Sequence, residues 1–382
     1  MRSGGEAEGV WEKLRGTRWD PPAAASAVEA RRRTYVFALE QAEQMFRAAA
    51  EVGVATRPLL VFYGLSQAGR AIAAAAAHAS GDGWELEGHG IRCIPATLRG
   101  PLPSIEIQTD AVGRKGSFAR LSELLGSPLW PKPDSITLGA LWDSLPESRL
   151  SPLDDTGPAR RTPLLVDHQF VDPEPHPLVS VTVAYFPPWV VSAGDGRKAL
   201  DSYLKAFPDA PPCHSYYLLG HERDSAPNFS RHVDGWGDLA MNWELPPDST
   251  GSLEEKLRYL QAMTRPYDGQ WWLLPAADPV SRSLHPLMAW WAVLYTLSML
   301  ARYQPAEWAA HINIDSSRHA VAVESLLKRA ISTVPALIAE AISHAADPDQ
   351  PPPATGNDQA QIARAGSRTA TDPAAQQVRD IS

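Results

Sequence analysis

The chain has 382 residues, 44% hydrophobic and 21% charged, with a formal net charge of −9. Those fractions match globular averages and exclude a wholly disordered chain, a coiled coil and a collagen-like fibre. The negative balance argues against general binding to a phosphate backbone, which wants a basic face.

Loops must be extensive, because the chain carries 35 prolines and 26 glycines. Cys93 and Cys213 are the only cysteines, too few for a secreted disulfide scaffold, so a cytoplasmic setting is expected. Met1 to Val10 is polar and Gly-rich and lacks the apolar core of a signal peptide. The longest apolar run, Leu287 to Ala301, falls short of the roughly 20 residues that span a bilayer, so it predicts a buried helix and no membrane partner.

Residues 1–80 read as helix. Tyr35, Leu39, Ala42, Phe46 and Ala49 recur three or four residues apart, which marks one buried helix face. Arg31, Arg32 and Arg33 sit at its start and form the best basic patch. Pro58 opens a second helix whose tail, Arg70 to His78, is Ala-rich. Residues 81–250 change texture. Ile91 to Leu98, Ser104 to Thr109, Pro163 to Val166 and Leu178 to Phe186 are β-prone runs bounded by Pro and Gly. In the last, Val179, Val181 and Val183 alternate with smaller residues, the period of a half-buried strand. A short helix ending at Gly126 lies between them. Long helices do not alternate with these strands, so a mostly antiparallel insert is expected. Residues 251–344 return to helix. Ser252 and Glu255 form a capping box, Trp271-Trp272 reads as a last strand, and His285-Pro286 starts the very apolar helix. Pro305 stops that helix and begins another turn. Val323, Leu327, Ile331, Val334, Ile338 and Ile342 mark the last helix, which Pro335 should bend. From Ala345 the composition lacks aromatic residues, and a disordered tail is expected over 345–382. The fold class is therefore α+β: a bundle of N- and C-terminal helices interrupted by a β-rich, loop-rich insert.

Several segments carry a resemblance. Gln41 to Gln44, Arg57 to Ser66, His89-Gly90-Ile91, and Leu297 to Tyr303 with Pro305 and Trp308 resemble the bacterial YaaC-like family over about residues 10–345. That resemblance implies a fold and no mechanism. The helix RPLLVFYGLSQAGRAI is similar, more distantly, to the tyrosine-bearing helix of HEPN-type domains, which are often ribonucleases of toxin or phage-defence systems.

Four constellations point to chemistry. Gly64-Leu65-Ser66-Gln67-Ala68-Gly69 mimics a nucleophile elbow, with Asp278 and His285 or His311 as partners for a Ser66 hydrolase. No strand–helix alternation surrounds it, so glycine-mediated helix packing explains it more plainly. The HEPN likeness implies an arginine and a histidine on one helix; Arg70/His78, Arg302/His311, Arg282/His285 and Arg318/His319 are the pairs on offer, none at the family spacing. Arg302 also suits the C-terminal dipole of its helix. Cys213, His214, His221, Glu222 and His232 could ligate zinc, but their spacing fits no zinc pattern and surface histidines are the ordinary explanation. Glu222, Arg223, Asp224, Arg231, His232 and Asp234 form a polar cluster near Trp236 and Trp243, read as solvated turns. Trp271-Trp272 and Trp290-Trp291 should each place one indole in the core and the other toward a second layer or a partner. No P-loop, G-x-G-x-x-G, H-E-x-x-H or C-x-x-C pattern occurs, so no cofactor is expected.

The expectation is a non-catalytic interaction or scaffold protein, set by the HEPN likeness in a bacterial defence or stress system. Its partner is expected to be another protein, with RNA less favoured by charge. Tyr63, Arg302, Tyr303 and Trp308 are the candidate binding residues, and Ser66, Arg302 and His311 the catalytic ones under the hydrolase and ribonuclease alternatives.

Overall fold

A computed structural model describes residues 4–154, 160–216 and 227–349. The chain opens with helices α1 (Gly4–Trp19), α2 (Ala23–Ser26), α3 (Glu29–Glu51) and α4 (Arg57–Ala75). Strands β1 (Ile91–Cys93) and β2 (Glu106–Thr109), helix α5 (Ser117–Leu124), strand β3 (Ile136–Thr137) and helix α6 (Leu138–Asp143) follow. Next come β4 (Leu164–Val166), β5 (Leu178–Phe186), α7 (Pro188–Val191), α8 (Gly196–Leu204), β6 (Ser230–Arg231) and β7 (Gly237–Glu244). The chain then forms α9 (Leu253–Met263), β8 (Arg265–Tyr267), β9 (Gln270–Leu273), α10 (Pro286–Tyr303), α11 (Pro305–Ile312) and α12 (Ala320–Ala346). The architecture is α+β. β1, β2 and β3 make one antiparallel sheet, and a second runs β6-β7-β5-β4-β9-β8, every pair antiparallel.

Helix α4 is the axis of the bundle. Its Ala-rich tail buries Ala71 and Ala73 to Ala76 completely, so neighbouring helices approach its backbone. A Cβ on Gly64 would lie 2.8 Å from the Phe46 ring, and one on Gly69 would lie 2.7 Å from Trp291. Both glycines of the elbow-like motif are therefore needed for close packing. Helices α3, α10 and α12 share this interior: Leu39, Phe46, Leu294 and Leu327 belong to one hydrophobic cluster.

Two arginines close the α3–α4 hairpin from opposite ends. Arg31, at the start of α3, is 7% exposed. Its Nε donates to the Ala74 carbonyl at 2.7 Å and its terminal nitrogens to those of Ala79 and Ala76. Arg57, at the start of α4, donates to the Ala49 and Val52 carbonyls at 3.0 and 2.6 Å. Each cation thus satisfies the orphan carbonyls at the other helix's C-terminus. Arg31 is accordingly no part of a basic surface patch. Just beyond α4 the Ala77 N–H donates to the Ala345 carbonyl at 2.7 Å, tying the end of α12 to the same point.

The stretch 81–250 is shared between two cores. Residues Leu86 to Leu153 pack with the helices, whereas Leu164 to Leu273 supply a separate cluster under α8 and α9. The β8–β9 hairpin joins them. Trp271 packs on the sheet cluster and Trp272 on the helical one, as adjacent strand residues on opposite faces must. Trp290 and Trp291 both lie fully inside the helical core. Deeper, Trp290 Nε1 donates to Tyr267 Oη at 2.8 Å, and Tyr267 Oη donates to Glu147 Oε1 at 2.7 Å. Burial holds the Glu147 carboxyl above the usual range; Arg329 opposes that shift and Asp268 adds to it. At the edge of β5, Ala184 and Tyr185 oppose Asp238 alone, a β-bulge with Tyr185 at φ 76°. The bulge sets the Tyr185 ring 4.2 Å from the Arg149 guanidinium, with Trp272 stacked on it at 6.1 Å.

Helix α12 runs to Ala346, past the expected boundary at Ala345, and residues 350–382 lie outside the described residues. No helix among the described residues is long and apolar enough to cross a membrane.

Arg31→Ala strands the Ala74 and Ala79 carbonyls, leaves Ala76 with its bond from the Ala79 N–H alone, and should lower unfolding free energy by about 3 kcal/mol, read by chemical denaturation. Equal stability would show that the caps do not matter. For Glu147 the sign follows from a folded pKa above the unfolded one. Its contribution is complete below the ordinary value of 4.5 and is lost as pH rises through the folded pKa. Glu147→Gln should therefore flatten the decline of stability above about pH 4.5, measured by denaturant midpoints across pH.

Candidate functional site

The outer stripe of α4 carries Tyr63, Ser66, Gln67 and Arg70 at helical spacing, with Arg70 exposed. Tyr63 is half-buried, and its hydroxyl accepts from Arg302 Nη1 at 2.5 Å. Arg302 sits in the last turn of α10, where a cation complements the helix dipole, and its guanidinium lies 4.9 Å from the Tyr303 ring. Tyr303 is 52% exposed. Three of the four candidate binding residues thus lie together on one surface. Trp308 is different. It is 3% exposed and donates its indole N–H to the Ala55 carbonyl at 2.9 Å, pinning α11 onto the α3–α4 turn. It is a core anchor and not a contact for a partner.

Beside Tyr63 and Gln67 runs a groove of about 540 Å³ between α3 and α4. Arg33, Phe37 and Gln41 line it from α3 at four-residue intervals; Gln67 and Arg70 line it from α4. Phe37 is 56% exposed. The lining holds no carboxylate. Neither Arg33 nor Arg70 has an ion-pair partner among the described residues. The sequence reading missed Phe37, although its signal was present: it is an aromatic residue off the buried stripe of Tyr35, Leu39, Ala42 and Phe46.

The catalytic candidates do not assemble. Ser66 lies in the middle of α4 on continuous helix, whereas an elbow needs a strained strand-to-helix turn. Of its proposed partners, His285 is instead built into the start of α10. Its Nδ1 accepts from the Leu287 N–H at 3.2 Å, and burial drives its pKa down to about 3. His311 belongs to α11 and Arg302 to α10, and the ring facing His311 is His319 at 6.4 Å. Burial, then His319, lowers the His311 pKa. Arg70 is within α4 and His78 beyond it; Arg318 pairs with Asp154 at 3.3 Å while His319 bonds the Leu153 carbonyl. None of these pairs shares one helix, which the nuclease geometry requires.

Of the zinc candidates, His221 and Glu222 lie outside the described residues, as do Arg223 and Asp224 of the polar cluster. The Cys213 thiol bonds the Ser215 carbonyl and is pushed up to about 11 by burial, the reverse of a ligand thiolate. His214 pairs with Glu244 and His232 with Asp238. No three His, Cys, Asp or Glu side chains among the described residues come together to hold a metal ion. Asp234 caps the Trp236 N–H in a tight turn, and Trp243 is buried.

A family model described as YaaC-like Protein matches residues 13–342. No curated protein and no solved structure matches the chain.

Ser66→Ala should change stability by less than about 0.5 kcal/mol, because the side chain is half-buried and its hydroxyl has no hydrogen-bond partner among the described residues. A fluorophosphonate probe should label the wild type no more than this variant; labelling confined to the wild type would restore the nucleophile.

Proposed function

We propose for this chain, which belongs to the YaaC-like protein family, a non-catalytic role: it receives an acidic amphipathic helix of a partner protein in the groove between α3 and α4. The observation that carries this is the pair of unpartnered arginines flanking an exposed Phe37 in a chain whose net charge is −9. A cationic lining on an acidic protein attracts an anionic partner and repels a second copy of the chain. An exposed phenylalanine adds an apolar anchor, and a furrow between two helices suits a helix laid along it. Tyr63, Arg302 and Tyr303 extend the same face by about 10 Å along α4. The nuclease alternative asks for an arginine and a histidine on one helix, and nothing in the geometry supports it.

The test uses a synthetic amphipathic helix with glutamates on one face and leucine and tryptophan on the other, followed by fluorescence anisotropy. Binding should weaken with salt and fall at least about tenfold in the double variant Arg33→Glu, Arg70→Glu, with unfolding midpoint unchanged. Phe37→Ala should weaken it at low and high salt alike. A single-stranded RNA of equal charge is the competing probe. Binding of the RNA alone, or peptide binding unaffected by the charge reversal, would overturn the proposal.

A further inference from the structure

A second concavity lies apart from the α3–α4 groove, among the C-terminal end of α5 and the loops at residues 78–83, 126–131 and 279–282. Its volume is about 740 Å³, within the range of small-molecule sites. Val112, Leu124, Leu129, Pro131, Pro279 and Val280 make its apolar wall. Val112 is 68% exposed, so part of that wall faces solvent.

Two buried polar groups on the same lining lack a hydrogen-bond partner, and a part-exposed arginine stands beside them. Ser122 is completely buried, yet its Oγ has no hydrogen-bond partner. A helical serine commonly bonds the carbonyl a turn back; this one does not. Arg120 Nε is likewise buried and unpaired, and it can only donate. Arg282 lines the cleft with no ion-pair partner among the described residues. The nearby carboxylate Glu123 is already engaged: its Oε2 accepts from Arg120 Nη1 at 3.3 Å and its Oε1 from the Gly113 N–H. Asp134 contributes its charge at the exposed rim. Buried donors left unpaired are costly, and a single acceptor group entering the cleft would relieve them.

We infer that this cleft binds a small carboxylate with an apolar body, its acid group held by Arg282, Ser122 and Arg120 Nε and its body against the proline- and valine-lined wall. A carboxylate offers about four lone-pair sites to these donors, and a charge-assisted bond to Arg282 is the strong one. The cleft is independent of the helix-docking groove, so either site can fail without the other.

Naphthoate serves as the probe, because it is a flat apolar body with one carboxylate. Titrated into the full chain and followed by calorimetry, it should bind at one saturable site. Its neutral amide should bind at least about tenfold more weakly, since it lacks the charge. Arg282→Ala should weaken naphthoate by about tenfold or more, and this surface change leaves folding intact. Ser122→Ala should weaken it about fivefold while the unfolding midpoint stays equal or rises, because an unpaired buried hydroxyl is removed. A serine with a purely structural role would lose stability instead. Val280→Trp should block the site. The absence of saturable heat, equal binding of acid and amide, or full binding by Arg282→Ala would each overturn the inference.

Discussion

The fold turns on two arginines that cap each other's helices. An antiparallel helix pair places the start of one member beside the end of the other. There, four carbonyls lack intrahelical partners. Arg31 and Arg57 fill both ends of the α3–α4 hairpin with bonds to backbone oxygens. A guanidinium suits this task because its donors fan out in one plane and it keeps its charge when buried. Burial pulls the Arg31 pKa down, so the contact is bought against desolvation and must hold all its bonds to be worthwhile. With that hairpin fixed, α10 and α12 settle on the small-residue faces of α4.

The same constraint positions the two proposed binding surfaces. Capping aligns α3 and α4 over their full length, so Arg33, Phe37 and Gln41 come to face Gln67 and Arg70 across a furrow. The turn after α4, held by Arg31 and by Ala345, delivers residues 78–83 to the edge of the carboxylate cleft. Farther along the chain, the second sheet is held to the bundle by Trp272, by the stack of Tyr185 on Arg149, and by the buried Trp290–Tyr267–Glu147 relay. Glu147 retains one unpaired carboxyl oxygen there, and burial raises its pKa.

Motif reading and geometry diverged most at Ser66. A glycine, a serine and a small residue in series satisfy an elbow and a tight helix crossing equally well. Only the neighbours separate the two: Phe46 and Trp291 occupy the space a side chain at Gly64 or Gly69 would need. Tyr63 and Arg302 were each named from the sequence as candidate binding residues, but only the fold joins them through a hydrogen bond. Trp308, named from the sequence as a candidate binding residue, is buried, and its indole N–H meets the Ala55 carbonyl.

Local periodicity alone specified the helices of both chain ends, the alternating strand of Leu178 to Phe186 and the α+β class. These follow from how side chains alternate or recur along a backbone, which is written residue by residue. The sequence also identified the two amphipathic stretches that share one interior, since an unpaired apolar face must be covered. It did not reveal the reciprocal arginine caps, the division of the middle region between two cores, or the two unsatisfied buried donors of the cleft. Those depend on atoms many tens of residues apart meeting within a few ångströms, and burial and hydrogen-bond satisfaction become defined only when the chain has closed on itself.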